Sequence, residues 1–102
     1  DLQTKVIKTI YKTFGHNVWL YKSHDLCQVG IPDLIICLGG SFIAIELKRP
    51  GKTKEGNKKQ KYNLRKIIDA GGFGFASNDF NFIMKILTRY YVNFIRKEKK
   101  QK

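Results

Sequence analysis

The sequence predicts one α/β domain, and three observations carry that reading. Two apolar, β-branched runs meet at Gly39-Gly40, the signature of a hairpin with a two-residue loop. Apolar residues recur at helical spacing over 2–14, about 57–70 and about 79–96. A chain of 102 residues holds a single small core, a size that association with a second copy would help to stabilise. The domain is expected to span 1–95, with 96–102 a basic, frayed tail.

Taken in order, the first helix places Leu2, Val6, Ile7, Ile10 and Phe14 on one face and Lys5, Lys8 and Lys12 on the other, with Asp1 as its cap and Gly15 as its stop. Residues 17–22 alternate well enough for a strand, with Val18, Trp19, Leu20 and Tyr21 all available for packing. Pro32 suits a strand entry, where no ladder donor is required. After the hairpin comes a basic loop, then a helix whose expected core face is Tyr62, Leu64, Ile67 and Ile68, ended by Gly71. Residues 73–77 read as a fourth strand. Asn78 or Asp79 caps the last helix, whose core face is Phe80, Ile83, Met84, Leu87, Tyr91 and Phe94, with Phe82 and Ile86 left over as a self-association surface.

The hairpin is where chemistry concentrates. With Gly39 and Gly40 as the loop, Leu38 faces Ser41, Cys37 faces Phe42, and the register runs outward until Asp33 lies opposite Glu46. Lys48, two residues on, shares that face. Like charges opposite each other on apolar strands are destabilising, so a compensating partner is required. A divalent cation between the carboxylates would serve, and hard oxygen ligands suit Mg²⁺, with Mn²⁺ the second choice. The alternative is a solvated carboxylate pair at an open hairpin end, tolerated because the chain is so basic.

Twenty Lys and Arg against eight Asp and Glu leave a net charge of +12, which selects polyanionic partners: DNA, RNA or an anionic membrane surface. Eight basic residues fall between Arg49 and Lys66 against one acid, Glu55. That stretch follows the carboxylates directly, so Arg49, Lys52, Lys54, Lys58 and Lys59, with Lys22 and His24, are the candidate phosphate contacts. The basic residues gather in a loop and tail rather than along one helix face, which argues against a membrane surface. No apolar run reaches spanning length and no signal-peptide pattern opens the chain, so an intracellular protein is expected, in a prokaryotic cytoplasm or virus-encoded. Cys27 and Cys37 form no Cys-x-x-Cys pair, and His16, His24, Cys27 and Cys37 match no zinc spacing. Neither a glycine-rich phosphate loop nor a serine-nucleophile motif is present.

The order helix, strand, Gly30-Ile-Pro-Asp33, hairpin turn, Glu46-Leu-Lys48, basic loop, a helix opening near Gln60, then Ala70-Gly71-Gly72 and a strand resembles the PD-(D/E)XK nuclease superfamily. Within it, the motifs are similar to the stand-alone virus-type replication-repair nuclease domain, VRR-NUC. The resemblance implies a restriction-endonuclease-like core: a mixed central sheet of about four strands flanked by helices, in the order α-β-β-β-α-β-α. It implies a metal-dependent endonuclease hydrolysing DNA phosphodiesters, similar to the small Holliday-junction resolvases, acting as a homodimer on branched DNA. Carried over by residue, Asp33 and Glu46 would bind Mg²⁺ together with the Leu47 carbonyl, Lys48 would be the catalytic lysine, and Gln60 an active-site glutamine. Relatives often add a glutamate from the first helix. Here that helix has none; Gln3 stands at roughly that position, and Asp25 is the other candidate to complete the set. A nucleic-acid-binding module that kept the fold without the activity is the alternative function.

Overall fold

The computed structural model describes residues 1–23, 30–48 and 57–101. Helix α1 (Leu2–Phe14) begins at Asp1, whose carboxylate accepts the Thr4 N–H at 2.8 Å, and stops at Gly15, where φ is 55°. A single 3₁₀ turn leads into β1 (Val18–Lys22). Strands β2 (Leu34–Leu38) and β3 (Ser41–Leu47) are joined by Gly39 and Gly40, with φ of 57° and 84°. Positive φ at both positions defines the hairpin turn whose twist matches that of the strands. Helix α2 (Asn57–Asp69) then leads to β4 (Phe73–Ser77), and α3 (Phe80–Gln101) closes the chain. The Asp79 carboxylate accepts the Phe82 N–H at 3.1 Å and so caps α3.

The four strands lie in the order β1-β2-β3-β4, with the first two pairings antiparallel and β3–β4 parallel. The mixed sheet and the element order are those expected. One face carries Leu34, Ile36 and Leu38 of β2 and Ile43, Ile45 and Leu47 of β3 against Val6, Ile10 and Phe14 of α1 and Ile83 and Leu87 of α3. All eleven are buried, so this layer between sheet and two helices is the core.

The opposite face is only partly covered. Helix α2 lies over β3 and β4, close enough that a Cβ at Gly74 would meet Leu64 and one at Gly72 would meet Ile67 and Phe42. Strand β1 lies beyond its reach. Trp19 and Tyr21, expected to pack, are instead 60% and 50% exposed, with rings parallel to within 6° and centroids 6.3 Å apart. Tyr62 and Ile68 of α2, expected in the core, are also exposed, while Leu64 and Ile67 approach the sheet at Gly74 and Gly72. Phe82 is half-exposed with its edge on the Phe75 ring at 6.1 Å. Helix α3 runs on through the basic segment to Gln101, past the expected end near Arg96, since Arg, Lys, Glu and Gln are all good helix formers. Among the described residues no helix is long and apolar enough to cross a membrane.

Candidate metal centre

The β2–β3 register pairs Leu38 with Ser41, Cys37 with Phe42 and Leu34 with Ile45, so the next step outward sets Asp33 against Glu46. The two residues are tied reciprocally. The Asp33 N–H donates to Glu46 Oε1 at 3.2 Å, and the Leu47 N–H donates to Asp33 Oδ2 at 2.8 Å. Asp33 is also held from β1, because its carbonyl accepts the Ser23 N–H at 2.9 Å while Ser23 Oγ donates to the Pro32 carbonyl at 2.7 Å. Two neighbouring strands thus fix the backbone that aims this carboxylate. Ser23 was not among the expected site residues, although it follows β1 directly and extending the Lys22–Leu34 pairing by one step puts it opposite Asp33.

Glu46 is the one buried charged side chain among the described residues, at 3% exposure. Burial and the adjoining Asp33 carboxylate push its carboxyl up from 4.5 to about 8, while the Asp33 N–H and the Lys48 ammonium act in the opposite sense. Half-buried Lys48 follows β3, its N–H donating to the Ser77 carbonyl at 3.0 Å. Two carboxylates that cannot comfortably share their negative charge, one of them desolvated, form an all-oxygen pair that fits Mg²⁺ or Mn²⁺. No third His, Cys, Asp or Glu joins them among the described residues.

Helix α2 is docked against the approach to Asp33. A Cβ at Gly30, where φ is 87°, would collide with Lys59 and the Gln60 backbone, and Asn63 Nδ2 donates to the Gly30 carbonyl at 2.9 Å. This contact sets the first turn of α2, with half-buried Gln60 and exposed Lys58 and Lys59, beside the chain that leads into Asp33. Asn63 was not anticipated, and its spacing of one turn after Gln60 was the available signal. Gln3 is half-buried at the start of α1. Helix α1 ends where β1 begins, and Val18 pairs with Leu38 at the glycine turn, so α1 starts at the end of the sheet that bears Asp33 and Glu46. Lys5 lies over the Phe80 ring at 4.2 Å, which fixes that end of α1 to α3. Lys22 is exposed at the close of β1. His24, Asp25, Arg49, Lys52 and Lys54 lie outside the described residues.

Between α2 and the hairpin runs a groove of about 840 Å³, lined by Pro32, Ile35, Phe42, Asn63, Lys66 and Ile67 among others. It is mostly apolar, with Lys66 as its cation.

No family model and no curated protein matches the chain. A solved structure described as "VRR_NUC domain" is similar to it with a TM-score of 0.62 and 22% sequence identity, over 88% of this chain and 98% of that one. The chain therefore has the VRR-NUC fold, the restriction-endonuclease-like α/β arrangement expected from its motifs.

Proposed function

We propose that this chain, built on the VRR-NUC fold, is a metal-dependent endonuclease that hydrolyses DNA phosphodiester bonds, with branched DNA, four-way junctions foremost, as its substrate. The observation that carries the reading is the reciprocal tie in which the Asp33 N–H donates to the Glu46 carboxylate and the Leu47 N–H donates to the Asp33 carboxylate, which holds two carboxylates together beside Lys48. Asp33, Glu46 and the Leu47 carbonyl would hold Mg²⁺. When bound, the cation supplies neutralisation of the scissile phosphate and acidification of the attacking water. Lys48 orients that water and balances the charge that builds on the phosphoryl oxygens, a task suited to a compact ammonium. Gln60, half-buried in the first turn of α2, would be a polar positioning group, and Lys58 and Lys59 would hold the flanking strand.

A homodimer would present two such sites to two strands of a junction. Exposed Phe82 and half-buried Ile86 on α3 would be the surface for it. Sedimentation at micromolar concentration should give twice the mass of one chain; a monomer would count against the two-site scheme.

Labelled junction, flap, duplex and single-stranded DNA incubated with the protein in Mg²⁺ tests the main reading. Cutting should require Mg²⁺ and be abolished by Asp33→Ala, with DNA binding retained. The alternative of a binding module without activity draws on Gln3 standing where relatives carry a glutamate and on the absence of a third acidic ligand among the described residues. Binding of every substrate with cutting of none would establish it.

A further inference from the structure

Strand register places the exposed rings of β1 on the same side of the sheet as the carboxylates. Tyr21 pairs with Ile35 and Ile35 with Ala44, while Trp19 pairs with Cys37 and Cys37 with Phe42. Paired residues share a face, and Glu46 lies two positions beyond Ala44, so Trp19, Tyr21, Ile35, Phe42 and Glu46 all project from one side. Two strand spacings and one two-residue step separate Tyr21 from Glu46, about 12 Å. Ile35 and Phe42 also line the groove beside α2, so platform and groove are one continuous surface.

We propose that the parallel Trp19 and Tyr21 rings, with the adjoining Ile35–Phe42 floor, form a stacking subsite for unpaired bases of the DNA strand that is cut. This deepens the nuclease reading and rests on it for the identity of the strand. The rings are parallel to within 6°, 6.3 Å apart and open to solvent, so a base can stack on an exposed ring face. A separation of about 12 Å from the carboxylates is three to four stacked nucleotides at about 3.4 Å each. Lys66 at the groove matches phosphates, and the net charge of +12 favours a polyanion here over a second copy carrying the same charge. A second copy on this face would also cover the side from which Glu46 projects. Within the branched class, the feature selected is therefore a stretch of unpaired nucleotides near the scissile bond, as in a flap, which a fully paired duplex or four-way junction lacks.

Trp19 is the chain's single tryptophan, so its emission reports on the platform directly. In EDTA, titrating the full chain with short oligo(dT) should quench that emission, while a blunt duplex of equal length leaves it little changed. Tyr21→Ala should weaken oligo(dT) binding about 5- to 150-fold, the range expected for losing one stacked base. Trp19→Phe, which keeps a ring, should bind nearly as wild type when followed by anisotropy of a labelled oligonucleotide. Emission indifferent to oligo(dT), or shifted by raising the protein concentration alone because a second copy covers the face, overturns the proposal. Cutting plays no part in this readout. A protein that binds oligo(dT) through Trp19 and cuts nothing keeps the subsite and loses the nuclease, whereas cutting without a Trp19 response does the reverse.

Discussion

Glu46 sits under opposed demands: the fold buries it against Asp33, and the proposed cation binding would need it ionised. Its folded-state value of about 8 lies above the ordinary 4.5, so folding favours the protonated form. The associated stability is fully present below pH 4.5 and is lost as pH rises toward 8. The metal-free protein is therefore expected to lose of the order of a few kcal/mol across that window. Urea denaturation in EDTA at stepped pH checks this, and Glu46→Gln should flatten the dependence. Mg²⁺ should restore stability most strongly at the alkaline end, where no proton has to be displaced. Ser23 acts at the same scale. Removing its hydroxyl by Ser23→Ala should cost about 1 kcal/mol, since the Pro32 carbonyl loses its donor.

The joint between α2 and the hairpin depends on Gly30. Alanine there would adopt a strained positive φ and drive its Cβ into Lys59, so Gly30→Ala should cost upwards of about 1 kcal/mol and lower cutting along with stability. Asn63→Ala, which removes the donor but not the close approach, should cost about 1 kcal/mol in the same denaturation assay. The hairpin was legible in the sequence because a glycine pair imposes both the turn and the register, and register alone decides what faces Asp33. The cap of α1 was legible for a similarly local reason. The docking of α2 was not, because it depends on where the chain returns after the basic segment, a matter of tertiary packing. Helical periodicity marked Tyr62 and Ile68 as apolar, yet it carries no information on how wide a surface the helix will find beneath it. Trp19 and Tyr21 show the same limit from the side of the sheet: alternation finds the faces of a strand but not whether a helix reaches them.

Across the whole molecule, charge would dominate the proposed encounter with DNA. A net +12 predicts affinity that falls steeply with salt, and neutralising Lys58 and Lys59 together should reduce the slope of log K against log salt by about 2, equally for every DNA shape. Fluorescence anisotropy over a salt series reads this. Loss of affinity for branched DNA only would instead assign those lysines to shape recognition. The pattern of contacts along the chain has a further, kinetic meaning. Asp33 and Glu46 are 13 residues apart across one tight hairpin, whereas β3 and β4 pair residues 30 apart, as in Ile43 with Phe73. Short-range closure is the fast event, so the pair proposed to hold Mg²⁺ can be in place at the folding barrier, before the parallel β3–β4 pairing forms. Mg²⁺ should then accelerate refolding and leave the unfolding rate nearly unchanged, displacing one arm of the chevron and not the other. A cation that slowed unfolding alone would mean that the carboxylates meet only on the native side of the barrier.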